Sequence, residues 1–168
     1  MQRSLIPGSI ALVLAVSTVS CSGTLTHDSP TQPTELSSGA SASFSAASPT
    51  VVAQQVMGQS SSCPAFAPFS VPINLVIRVN GGFNVFVTQI SMQFTDPFRI
   101  VAPQVTLPAP VLTKQFGTNL VMARSARTFP LTFPVGCVTD RKGTAMLLID
   151  TQDEQGRRQS GQVSVAVR

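Results

Sequence analysis

Ile73, Leu75, Ile77 and Val79 alternate with Asn74, Val76, Arg78 and Asn80. A two-residue period sends alternate side chains to opposite faces of an extended backbone, so this stretch is a half-buried β-strand. Asn80-Gly81-Gly82 follows with residues that tolerate positive φ, which predicts a hairpin into a second strand over residues 84–95. In that second strand Phe86, Ile90, Met92 and Phe94 fall on one face, and Val85 and Val87 on the other. The change of phase implies a β-bulge, or a strand end covered by another part of the chain. Asp96-Pro97 closes the run.

The remainder keeps the same rhythm. Pro103, Pro108 and Pro110 confine the middle segments to an edge or a crossover, because proline cannot donate to a central ladder. Residues 116–122 and 127–133 read as two further strands, the second near an edge because of Pro130 and Pro134. Gly136-Cys137 ends that strand, and residues 140–143 make a turn. Ala145, Leu147 and Ile149 alternate out of phase with Met146 and Leu148, which suits a central strand. A turn at residues 153–156 leads to a last strand with Val163, Val165 and Val167 facing one way. Nothing shows a sustained 3.6-residue apolar period, so little helix is expected. Trp and Tyr are absent while Val, Phe, Thr, Pro and Ser are frequent, which favours strands and turns. Seven or eight short strands over residues 63–168 predict a single antiparallel β-sandwich. A little over a hundred residues suffice for one core.

What precedes the domain is of another kind. Met1-Gln2-Arg3 gives a short positive start, residues 10–16 are an apolar run too short to span a membrane comfortably, and Ser17, Thr18 and Ser20 are small. This order is that of a secretory signal over residues 1–20. Thr18-Val19-Ser20-Cys21 resembles the lipobox of bacterial lipoproteins, in which a small residue precedes a lipid-bearing Cys that becomes the mature N-terminus. Thr18 stands where that family usually has an aliphatic residue, and an ordinary signal peptidase also accepts Thr18 and Ser20 as its small pair. The resemblance implies attachment to a membrane through Cys21 and a cell-envelope location, periplasmic or at the surface.

The chain has three Cys. With Cys21 lipidated, Cys63 and Cys137 remain as one pair in an oxidising compartment, either a disulfide or two buried thiols. A bond closing that loop is worth about 4 kcal/mol in the chain-entropy model. Residues 21–50 are mostly Ser, Thr, Ala, Gly and Pro and read as a disordered tether with an r.m.s. reach of roughly 30 Å. The only His, His27, lies there, simply solvated. Residues 51–62 read as an edge strand and lead-in.

The domain also resembles the immunoglobulin-like sandwiches of bacterial surface and periplasmic proteins. The likeness rests on strand rhythm, the Phe94-Thr95-Asp96 strand end and the final hairpin from Gly143 to Val167. A core Trp and a tyrosine corner are absent, and a Cys63–Cys137 bond would join the domain entrance to a later loop. Such domains serve as binding modules, spacers or assembly parts, and fold analogy does not choose among them.

Chemistry has little to work with. Serine nucleophiles need a positioned base, usually His. A Ser–Lys dyad would have to use Lys114 or Lys142, neither of which stands in a recognisable motif. Asp150, Asp153 and Glu154 cluster in one hairpin beside Arg157 and Arg158, which suits a solvated turn better than paired-carboxylate hydrolysis or a calcium loop. No Cys–His spacing suits zinc, so neither metal nor cofactor is expected. The net charge is +4, but charged residues make up only 11% of the chain, too few for a nucleic-acid binder. Arg124, Arg127, Arg141, Lys142, Arg157 and Arg158 are candidates for a patch facing an anionic lipid head group or envelope glycan. The expectation is a non-catalytic, monomeric envelope lipoprotein whose domain binds, adheres or assembles through its surface, its partner an unidentified envelope protein or glycan. The alternatives are a secreted structural domain without an anchor and an atypical hydrolase.

Overall fold

A computed structural model of the chain describes residues 41–56 and 69–168. The expected signal segment, Cys21, His27, Cys63 and all of the tether before residue 41 lie outside the described residues. The elements in chain order are β1 (Ala42–Ala46), β2 (Thr50–Val51), β3 (Gln54–Gln55), β4 (Phe69–Val79), β5 (Val85–Thr95), β6 (Val105–Pro108), α1 (Ala109–Phe116), β7 (Leu120–Val121), β8 (Ala126–Val135), β9 (Gly143–Asp153) and β10 (Arg158–Val167). They form two sheets. In the smaller, β4 is central, with β8 on one side and β1 and β3 sharing the other. In the larger the order is β2-β10-β9-β5, and β6 and β7 share the far edge of β5. Every pairing is antiparallel except that of β2 with β10. The fold is the expected all-β antiparallel sandwich.

Its core follows from the period-two pattern. Phe69, Val71, Ile73, Leu75, Ile77 and Val79 of β4 are buried, as are Phe129, Leu131, Phe133 and Val135 of β8. Ala145, Leu147 and Ile149 of β9 and Val163, Val165 and Val167 of β10 meet them from the other sheet. The phase change in β5 is a bulge at Thr88, where the register to β9 shifts between Val87 and Gln89. One extra residue turns the strand over, so Val85 and Val87 before it and Ile90, Met92 and Phe94 after it all face the core. Phe69 and Phe94 then meet edge to face across the sheets, 5.4 Å between centroids.

Four expectations are corrected. Residues 80–84 do not make a hairpin, since β4 and β5 belong to different sheets. Both strands carry fully apolar inner faces that confront each other across the core, and a five-residue link is long enough to cross between layers. Asn84 pins that link, its Nδ2 donating to Glu154 Oε1 at 2.7 Å and its Oδ1 accepting the Ala123 N–H at 2.8 Å. The tether expected to run to residue 50 already contains β1, because Ala42, Phe44 and Ala46 alternate with Ser43 and Ser45 and pack on the core. The edge strand expected after residue 50 is split into β2 and β3, which join opposite sheets.

The fourth correction concerns residues 116–122, expected as a strand. They hold the end of α1, a Gly117 in the left-handed region at φ 77°, and the two-residue β7. Proline near the start of a helix removes an N–H that would have no partner there, so Pro108 and Pro110 help α1 begin rather than break it. The helix closes one flank of the sandwich. Leu112 is buried, and Phe116 meets Phe129 of β8 edge to face at 5.4 Å. The opposite flank is closed by the sheet-switching N-terminal strands. The side-chain amide of Gln159 holds both peptide groups of Ala42, accepting its N–H at 2.9 Å and donating to its carbonyl at 2.7 Å. The Phe44 ring lies on Gly161, where a Cβ would come within 2.1 Å of it.

Backbone parity explains where the prolines sit. The Val79 N–H donates to Ser125 O beside β8, whereas Asn80 donates to Ser41 O and Asn74 O accepts from Ala47, all at 2.8 Å. Even-numbered residues of β4 therefore face β1 and β3. The missing donor of Pro72 falls in the gap where β1 pairing ends at Leu75 and β3 pairing begins at Ser70. On β8, Pro130 and Pro134 lie opposite Asn74 and Ser70, so their nitrogens point away from β4 to the open edge, as the sequence led one to expect.

Candidate functional site

The outer face of the larger sheet carries a hollow of about 400 Å³, lined by Thr88, Gln89, Asp150, Thr151, Gln152, Arg158 and Ser160. The bulge builds it. Thr88 Oγ1 donates to the Asp150 carbonyl at 3.0 Å, and register brings Gln89 opposite Asp150, which is itself opposite Ser160. Ser160 Oγ donates to Asp150 Oδ1 at 2.6 Å. Amide, hydroxyl, carboxylate and guanidinium groups thus stand side by side on rigid strands, a surface suited to polar recognition by contact. A serine bonded to a carboxylate without an intervening base is not an activated nucleophile. A second hollow of about 400 Å³ is more apolar and lies between β7 and β8, lined by Leu120, Val121, Met122 and Arg127 among others. Neither Lys114 nor Lys142 lines either hollow.

The six basic residues do not form one patch. Arg124 and Arg127 stand at the start of β8, near the β9–β10 turn that carries Arg157 and Arg158, at the end of the sandwich that also holds residues 80–84. Arg141 and Lys142 follow β8 at the opposite end, beside residues 96–104. Ten residues of extended strand separate these ends by about 30 Å. Two of the six do structural work instead. Arg127 donates from Nη1 to Leu120 O at 2.8 Å and from Nη2 to Phe116 O at 2.9 Å, with its guanidinium 4.9 Å from the Phe129 centroid. It secures the C-terminus of α1, where a cation is favoured. Arg157 pairs through Nε with Asp153 Oδ2 at 2.7 Å and lies over Phe83.

Each end of the sandwich is braced by one buried aspartate, a role that residue types alone do not reveal. Asp96 Oδ1 accepts the N–H groups of Phe98 and Ile100 at 2.9 and 2.8 Å, and its Oδ2 accepts both the N–H and the hydroxyl of Thr139. Asp153 Oδ1 accepts the N–H groups of Gln155 and Arg157, both at 2.9 Å. Burial pushes each carboxyl upward, but the donors outweigh it. Those around Asp96 (led by the Thr139 side chain) and those around Asp153 (led by Arg157) hold both below the usual carboxylate range. The Asp96 bonds keep a turn in which Arg99 has φ 65° and Phe98 is 71% exposed. Cys137 lies at φ 63° in the loop after β8, close to the start of β4, and is not without a partner.

The molecule is an all-β sandwich whose larger sheet carries a polar hollow on its outer face. No family model matches the chain, and no curated protein matches it. Among solved structures it is similar to a Bordetella pertussis protein described as ApaA, at 15% identity and a TM-score of 0.50, covering 76% of this chain and 94% of that one. A structural-genomics target designated SoR45 is similar at 12% identity and a TM-score of 0.50, over 75% of this chain and 86% of that one. At such identities the likeness is one of fold.

Proposed function

We propose that the chain is a lipid-anchored envelope protein presenting an immunoglobulin-like sandwich as a binding or assembly module, acting by surface contact rather than chemistry. The observation that carries the binding role is the polar outer face of the larger sheet, where Gln89, Asp150, Gln152, Arg158 and Ser160 converge on rigid strands. The immunoglobulin-like assignment is supported by strand order: the N-terminal segment pairs antiparallel with β4 in one sheet, then parallel with β10 in the other. Attachment through Cys21 rests on the positive start, the apolar run of residues 10–16 and the small residues before Cys21. A Cys63–Cys137 disulfide is supported by the place of Cys137 beside the start of β4, which begins six residues after Cys63.

The test is the intact mass of the mature protein from an envelope fraction, with thiol alkylation before and after reduction. A mass beginning at Cys21 with added acyl chains, and two thiols appearing only on reduction, is expected. A soluble, unlipidated form with another start would overturn the anchor and favour a secreted structural domain. Thiols free without reduction would overturn the disulfide.

A further inference from the structure

The free edges of the sandwich differ in what they offer a passing strand. On β8 the outward-pointing positions include Pro130 and Pro134. On β5, Phe94 O accepts from Ala102, so even-numbered residues there face outward, and Pro108 of β6 falls at a position turned away from the sheet. The outward peptide groups of Ala42 on β1 are occupied by Gln159. β10 is different. Ala166 and Arg168 donate to Pro49 O and Val51 O, both at 2.9 Å, so even-numbered residues of β10 turn their N–H and C=O away from β9. β2 covers that side only at Ala166 and Val167. Ser160, Gln162 and Ser164 share the outward parity, are exposed, and receive no backbone bond from another strand among the described residues.

We infer that residues 160–164 of β10 are a strand-addition site for an extended segment of a partner polypeptide. Proline at outward positions blunts edges against such pairing, and here it stands on β6 and β8 but not on β10. The guest is short, because it must stop where Thr50 already pairs with Ala166. Its side chains alternate in character. Those on the core side meet Val163 and the Phe44 ring over Gly161, whereas those on the outer side meet Ser160, Gln162 and Ser164 and border the polar hollow. A second copy fits poorly: an antiparallel β10 centred on Gln162 would bring its Arg158 opposite Ala166, where Thr50 sits. The inference rests on the reading of this domain as a binding module and names the surface it uses.

The test is nuclear magnetic resonance on the mature full chain, with an acetylated and amidated heptapeptide of alternating threonine and valine as probe. Amide exchange at Ser160, Gln162 and Ser164 should be fast in the free protein and slowed at least about tenfold at saturation. N-methylating those peptide amides that face β10 should abolish binding, and N-methylating the others should not. Gln162→Pro, which removes an outward backbone donor together with the side-chain contact to Met146 Sδ, should weaken binding at least about tenfold, whereas Gln162→Ala, which loses the side-chain contact and keeps the donor, should not. No binding at millimolar peptide, or protection at β6 or β8 instead, overturns the proposal. So does slow exchange in the free monomer, which would place the chain's own preceding residues on the edge, or protection that grows with protein concentration, which would place a second copy there. The mass of the mature protein is untouched by any of these results, so failure here and failure of the envelope reading are separable.

Discussion

Gly161→Ala tests the flank where the N-terminal strand meets the larger sheet. A Cβ there would stand 2.1, 2.4 and 3.0 Å from Cδ2, Cε2 and Cγ of Phe44, so the ring has to leave its seat. Phe44 is half-buried, and burying a whole phenylalanine side chain contributes about 1.5–3 kcal/mol, so its displacement forfeits about 1 kcal/mol. Strain in accommodating the methyl group adds about 1 kcal/mol or more. Replacing glycine restrains the unfolded chain and returns about 0.4–1 kcal/mol. The net loss is about 1–2 kcal/mol, or about 4–8 °C in Tm for a domain of this size. The assay is thermal and denaturant unfolding of the wild type, Gly161→Ala, Phe44→Ala and the double variant. In the Phe44→Ala background the glycine change should be neutral or stabilising. An equal loss in both backgrounds would mean that the ring is not what Gly161 accommodates, and the reasoning fails.

Gly143→Ala should cost more, above about 2 kcal/mol, because the new Cβ meets the Thr95 carbonyl oxygen at 2.2 Å and backbone cannot rotate away; denaturant midpoints measure it. Arg127→Leu should lose about 1–3 kcal/mol by freeing the Phe116 and Leu120 carbonyls, and Arg127→Lys should not restore it, since one ammonium cannot reproduce the fork. Asp96 and Asp153 are both held below their ordinary range, so the stability they contribute is present above about pH 4 and lost as pH falls through their folded values. Unfolding followed from pH 6 to pH 2 should show a steep acid limb that Asp96→Asn makes shallower. Pro130→Thr with Pro134→Thr should restore two outward donors on β8 and raise self-association, seen as concentration-dependent elution in size-exclusion chromatography.

Legibility followed the strength of local periodicity. β4, β9 and β10 were readable only over residues 73–80, 145–149 and 162–168, where apolar residues recur at every second position; the strands themselves run Phe69–Val79, Gly143–Asp153 and Arg158–Val167. The bulge was readable because Val85 and Val87 break phase with Ile90, Met92 and Phe94. β1 was hidden because its alternation uses Ala and Ser around a single Phe, a composition shared with a tether. The connection at residues 80–84 was misread because Asn-Gly-Gly encodes a turn but not which sheet the next strand joins. The six basic residues were candidates for one patch because nothing in their spacing says which end of the sandwich each occupies, and they divide between opposite ends once the strands are laid out. The bracing by Asp96 was invisible because Thr139 lies 43 residues away and two of the other donors are backbone groups.

The parallel contact of β2 with β10 has a mechanical consequence. β1 enters beside Asn80 at one end of the sandwich, and β10 leaves beside Gly143 at the other. A pull between these points draws β1 along β4 and β2 along β10, lengthwise rather than sideways. The bonds from Ala166 to Pro49, from Arg168 to Val51 and from Ala53 to Arg168 are then loaded together, in shear, instead of opening one after another. Resistance to tension is governed by the rate of that first rupture and not by the total free energy of folding. The same two-residue strand that adds little to the core is therefore the latch that would have to slip first.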